Sequence, residues 1–400
     1  MQTDVISDAR VVVLSTPVVW FMALAAALGI ATSYPLQPAI ADVAGSLHAS
    51  LTTIGFALAC GPLGYLTGLA LLVPLADRFA QRHVVSTQFG ALATALAVNA
   101  VVGAPWLLGL VIGVVGAGSS VGAQLSSVAG RFANPRRRAT MLGIVTAGIS
   151  AGILAGRIVG GWLNDEIGWR GMFLVFAIAC AFVAVSAFFV LPGAAGTVAS
   201  GYLASLRRLP VLYLRCAPLR LAACRGTLWF FAFCAVWAGL GVALSQPPFS
   251  HSSERIGGYA FAGLLGIVAT RVAGAWTDRV GARKVLLVGL VVALTAAATL
   301  GACLSNAAMT LACLGLFDAG LFAAQVANQS TVLAIDPAAP AQFNSAYMLI
   351  YFVGGSGGTA FGGAAVGWFG WPATTAVAAC AISLALIVTV AVRPDTRSLG

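Results

Sequence analysis

The feature that most constrains this chain is a succession of apolar runs, each about long enough to cross a bilayer. A spanning helix takes ~20 apolar residues at ~1.5 Å each. Twelve such runs follow one another, at roughly 16–38, 50–75, 84–104, 107–130, 140–163, 170–192, 226–247, 257–277, 284–304, 307–332, 343–367 and 371–392. Lipid offers no partner to an open backbone, so each run is expected to be helical. Of the 400 residues 60% are hydrophobic and 8% charged, against ~25% charged in a soluble domain. A soluble fold would have nothing with which to cover its surface. The expected fold class is an all-α integral membrane protein of twelve transmembrane helices.

Lysine and arginine set the orientation. With both termini in the cytoplasm, seventeen of the 21 fall in cytoplasmic segments, and two, Arg170 and Arg255, fall in outer loops. The remaining two, Arg157 and Arg271, lie within spans. The net charge of +10 then belongs to the inner face and gives no reason to expect a nucleic-acid partner. The start, MQTDVISDAR, has no basic n-region, so the first run reads as a permanent span rather than a cleaved signal. The eight cysteines show no CxxC and no metal-ligand spacing, and the three histidines are far apart. Free thiols are expected, with no metal and no cofactor. A phosphate-binding GxxxxGK[ST] loop is also lacking. The outer loops are too short for a catalytic or ligand-binding domain, which argues against an enzyme or a receptor.

The sequence repeats itself. An offset of 201 aligns VPLADRFAQRH (73–83) with GAWTDRVGARK (274–284) and pairs Gln124 with Gln325. An offset of 202 aligns GRIVGGWLNDEIGW (156–169) with GTAFGGAAVGWFGW (358–371), so that Gly156, Gly160, Gly161, Gly168 and Trp169 all recur. The organisation expected is a six-helix bundle over 1–192, a linker over 193–225 and a second six-helix bundle over 226–400. The basic part of that linker can form a short helix on the inner leaflet or stay irregular. Two such halves suit a transporter that rocks about a central site.

PLADRFAQR after the second span, its copy after the eighth, and the glycines of the fifth span resemble the signatures of the major facilitator superfamily. LGYLTGLALLVPLADR, GWRGMF and QPPF are similar to its bacterial drug-efflux-like or arabinose-efflux-like branch. The resemblance implies a conformational latch at Asp77, Arg78, Arg82, Asp278, Arg279 and Arg283. It also implies an antiporter-type seam at Gly148, Gly152, Gly156, Gly160 and Gly161, facing span eight. Val73 and Ala80 stand where the loop signature has glycine, and Arg157 stands where the seam signature has proline.

Charges inside a membrane cost ~3 kcal/mol or more each and usually face the bundle interior or water. Asp318 lies near the middle of the tenth run. Taking a carboxylate out of water favours its protonated form, which makes Asp318 the candidate proton carrier. Arg157 can bind an anionic substrate, pair with Asp318, or bond backbone carbonyls at the seam. Arg271 can snorkel to the inner surface. Further candidates for the cavity wall are Tyr34, Gln37, Gln124, Gln246, Gln325, Asn328, Gln329, Tyr347 and Tyr351, because amides and phenols facing lipid are costly. The expected protein is a secondary transporter of the bacterial inner membrane, active as a monomer. It exports a small organic molecule by alternating access, driven by the proton gradient. The alternative is a symporter or facilitator that imports a metabolite.

Overall fold

The computed structural model describes residues 15–132, 137–193, 211–336 and 340–391, with the side chains at 76–77, 130–132, 138–139 and 340–341 excepted. Among the described residues the secondary structure is helical, with no strand. Among the described residues nine helices are long and apolar enough to cross a membrane, and Thr16–Ala31 is a shorter apolar helix. Two of the nine, Thr140–Val190 and Gln342–Ala391, are 51 and 50 residues long. Each is two spans parted at a glycine, Gly168 (φ 74°) and Gly370 (φ 80°). Only glycine adopts that backbone readily. The two glycines are related by the 202-residue offset, so the repeat fixes the same break in each half. Twelve spans in two halves result.

Four ends differ from the sequence expectation, each for a local reason. Span one closes at Ala31, and Thr32–Ala39 forms turns. Pro35 and Pro38 there cannot donate to a helical ladder, so Tyr34 and Gln37 stand on a turn rather than in a helix. Span four is interrupted at Ser120, between helices Pro105–Ser119 and Val121–Phe132. Span seven is the helix Ala217–Ser245, opened by a proline in its first turn. Arg220 and Arg225, expected in the linker, are therefore helical; residues 194–210 lie outside the described set. Span eight begins as the short helix Ser253–Gly258, passes through a tight turn and continues as Gly263–Val280.

Helix packing rests on glycine. A side chain at Gly148, Gly152 or Gly156 would meet the backbone of Ala23, Ala27 or Ala31, and one at Gly160 would meet Pro35. These four glycines face span one within their own half, not span eight as expected. Only Gly161 faces span eight, against Ser253. The second half repeats the zipper, with Gly354, Gly358 and Gly362 against Thr227, Phe231 and Ala235 of span seven. With no hydrophobic drive between helices in lipid, such close backbone approach replaces it. Spans two and eleven join the halves through Gly55 against Gly363 and through the Ser356 hydroxyl, which donates to the Ala59 carbonyl at 2.6 Å.

Candidate transport site

The deepest charges meet where the halves face each other. Arg157, on span five, is 4% exposed, and Asp318, on span ten, is 2% exposed. Arg157 Nε donates to Gln37 Oε1 at 2.7 Å. Its guanidinium lies 4.6 Å from the Tyr34 ring, 4.4 Å from Trp237 and 6.0 Å from Phe233. Cation–π contacts of this kind gain strength when desolvated. The Trp237 indole N–H in turn donates to Asp318 Oδ1 at 3.1 Å. One tryptophan of the second half thus stacks on the arginine of the first and holds the carboxylate of its own half. No direct ion pair joins Arg157 to Asp318. Gly263 of span eight leaves room for the Asp318 carboxylate, which a side chain there would crowd, and one at Gly266 would run into the Phe322 ring and the Asp318 Cβ.

The void beside Arg157 is about 10 Å³, room for about one water. The site is therefore closed around its charges, and a substrate needs the halves to part. A larger groove of about 410 Å³ lies elsewhere, between spans two, three and four, with Phe79, His83 and Gln88 among its walls. It touches neither charge.

A second polar cluster lies in the second half, toward the end that carries the basic loops. The Tyr347 hydroxyl donates to Gln325 Oε1 at 2.6 Å, Asn328 donates to the Ala222 carbonyl at 2.9 Å, and Gln329 donates to Asn344 at 2.9 Å. Tyr351 stacks on Phe230 with centroids 4.0 Å apart. Of the sequence candidates, Tyr34, Gln37, Arg157 and Asp318 thus gather at one site, and Gln325, Asn328, Gln329, Tyr347 and Tyr351 at the other. Gln124 belongs to neither: it donates to the Leu72 carbonyl at 2.7 Å and fastens span four to span two. Gln246 caps span seven in a loop beyond the site. Trp237 and Phe233 were not singled out from the sequence, although aromatics spaced by four on an apolar span beside a lone cation were the available signal.

At the face opposite the basic loops, the halves are sealed by a polar knot. Asp42 Oδ2 accepts from Asn164 at 2.5 Å and from the Ser253 hydroxyl at 2.9 Å. Asp165 accepts from the backbone N–H groups of Ser253 and Glu254 at 3.1 and 2.9 Å, capping the start of span eight from the other half. In the same loop, partial burial and the neighbouring Arg255 hold the His251 imidazole below its usual value. Among the latch candidates, Arg82 lies 5.5 Å from the Phe188 ring, and Arg283 donates to the Val390 carbonyl at 2.9 Å, each within its own half. Asp278 and Arg279 are exposed. The Asp77 side chain lies outside the described set. Arg271 is also exposed, on the flank of span eight.

Two six-span halves, sealed on one face around a buried charged seam, are the architecture of a membrane transporter. The family model of the Major Facilitator Superfamily matches residues 19–356, and the chain belongs to that family. It is 31% identical over 376 residues to "Probable transporter SCO4007" of Streptomyces coelicolor, covering 93% of this chain and 86% of that one. It is 27% identical over 360 residues to "Uncharacterized transporter YgaY" of Escherichia coli O157:H7, covering 90% and 91%. A shorter match, 28% over 159 residues, is to a methylenomycin A resistance protein of Bacillus subtilis, covering 38% of this chain and 33% of that one. Among solved structures, the nucleoside transporter NupG superposes with a TM-score of 0.77 at 12% identity, over 94% of this chain and 99% of that one. An inward-facing, unoccupied bacterial homologue of the lysosomal transporter Spinster gives 0.73 at 16%, over 94% and 95%.

Proposed function

We propose that the chain is a proton-coupled exporter of a small organic molecule in the bacterial inner membrane, with Asp318 carrying the proton. The observation that carries this reading is the Trp237 bridge between Arg157 and Asp318. Asp318 is buried at mid-span and is held by one neutral donor instead of being locked to a cation. It can therefore exchange a proton without first breaking an ion pair. A bare carboxylate attracts the Arg157 cation of the other half across the indole. Protonation removes that attraction and frees the halves to part. The weight of basic loops on one face supports a cytoplasmic assignment for it and for both termini. The polar knot then closes the outer face, and substrate enters from the cytoplasm. The partial match to a resistance protein supports the outward direction.

The test is accumulation of a panel of dyes, antibiotics and metabolites in efflux-deficient cells carrying wild type or Asp318→Asn at equal membrane levels. Wild type is expected to lower the accumulation of at least one compound, with the variant failing to do so. Equal export by Asp318→Asn would end the coupling role. Raised accumulation with wild type would replace export by import.

A further inference from the structure

We propose that Arg225 forms a second ligand station in this chain, and that the molecule carried is a planar aromatic anion. The proposal rests on the transporter reading above and adds a site and a substrate class to it. Arg225 was expected in a solvated loop, but it sits eight residues inside the helix Ala217–Ser245. It is half-buried, and its Nε has no hydrogen-bond partner among the described residues. The Tyr347 hydroxyl lies against Gly226, the residue next to Arg225, and among the described residues no carboxylate acts on the guanidinium. A cation taken out of water without a counter-ion is costly, so a built but unfilled pairing position points to an anion that arrives from outside.

What lies beyond Arg225 gives the shape of that anion. Arg225, Trp229, Phe233 and Trp237 recur every four residues on span seven and form one slowly winding stripe. Twelve residues separate its ends, ~18 Å along the helix. Its far end is covered by the second cation, Arg157, stacked on Trp237. Beside the stripe on the same span, Phe230 carries Tyr351 flat against it with 11° between the rings, and the Tyr347 ring follows at 5.6 Å. A flat ring system can replace such a stacked partner face for face, while its anionic group pairs first with Arg225 and then with Arg157. Once the halves part, a cargo moving along this stripe would meet a cation at each end and aromatic rings between. A cationic or bulky aliphatic cargo matches neither feature.

The test is calorimetric binding of sodium naphthalene-2-carboxylate to the purified full chain in lipid nanodiscs, without any ion gradient. Wild type is expected to bind it at least tenfold more tightly than naphthalen-2-ylmethylammonium or cyclohexanecarboxylate. Arg225→Gln is expected to weaken binding at least tenfold, with Arg225→Lys recovering part of the loss. Should Arg225→Gln fail to insert, Tyr351→Leu tests the same wall without touching a charge: its preference for naphthalene-2-carboxylate over cyclohexanecarboxylate is expected to vanish. No binding by wild type, a preference for the cation, or equal binding by wild type and Arg225→Gln would each overturn the proposal. Because no gradient is present, this outcome is independent of Asp318. Transport by Asp318→Asn would sink the coupling reading alone, and binding indifferent to Arg225 would sink the station alone.

Discussion

The two halves of the molecule share a scaffold and differ in their charges. In the first half span five closes on span one through Gly148, Gly152, Gly156 and Gly160; in the second, span eleven closes on span seven through Gly354, Gly358 and Gly362. Gly168 and Gly370 break the chain at matched positions with nearly the same φ. Yet the 202-residue offset carries Arg157 onto Thr359, whose hydroxyl merely donates to the Gly355 carbonyl of its own helix at 2.9 Å. The 201-residue offset carries Asp318 back onto Ala117. Each half carries one charge that the other lacks. The cation and the carboxylate therefore meet only where the two halves face each other, and the repeat is preserved for packing and abandoned at the site.

The largest expected effect comes from erasing that difference. Arg157→Thr makes span five resemble span eleven. It leaves the glycine zipper intact and removes the cation that Trp237, Tyr34 and Gln37 hold. Substrate flux through reconstituted protein is expected to fall at least ~100-fold, the equivalent of ~2.8 kcal/mol, with insertion unchanged. Flux within twofold of wild type would mean that the asymmetry is incidental.

The shared scaffold predicts equal costs in the two halves. A side chain at Gly156 or Gly358 would run into the partner helix backbone, so Gly156→Val and Gly358→Val are each expected to destabilise by ~1–3 kcal/mol, the usual range for overpacking. Gly143 has nothing within 4 Å of the added carbon, and Gly143→Val is the matched control. Thermal unfolding in detergent, followed by a thiol-reactive dye on the buried cysteines, reads the difference. A control that loses as much as the other two would show that the cost is not steric contact between helices.

Much of this was legible in the sequence, because the two signals that carry it are local. Apolar run length set the spans, and the glycine repeat set the symmetry of the halves. Asp318 and Arg157 stood out as charges where lipid tolerates few. What escaped depends on three-dimensional neighbours. Glycines every four residues announce a smooth face but do not say which helix meets it, so span one took the place of span eight. Span seven was begun at 226 because Arg220 and Arg225 were counted as loop charges. Arginines in the first turns of a long helix look the same in sequence as arginines just before it. Trp237 was one of several aromatics until its ring was found between the two charges.

The smallest expected effect concerns the seal, where the halves touch through polar groups instead of glycine. The Ser253 hydroxyl donates to Asp42 Oδ2 at 2.9 Å, lies 3.1 Å from the Pro38 carbonyl and accepts from Asn164 at 3.1 Å. With one proton it serves either Asp42 or Pro38 at a time. Ser253→Ala therefore removes about two hydrogen bonds, worth ~1–2 kcal/mol together. Asp165 still caps the backbone of Ser253 and Glu254, so the knot loosens without coming apart. The ratio of open to closed molecules at that face is expected to rise by about 5- to 30-fold. Spin labels at His48 and Glu254, both exposed and on opposite halves, in a chain cleared of native cysteines, would read this as a growing long-distance population. An unchanged distance distribution would place the seal in the Asp165 cap and the Gly161 contact rather than in the hydroxyl.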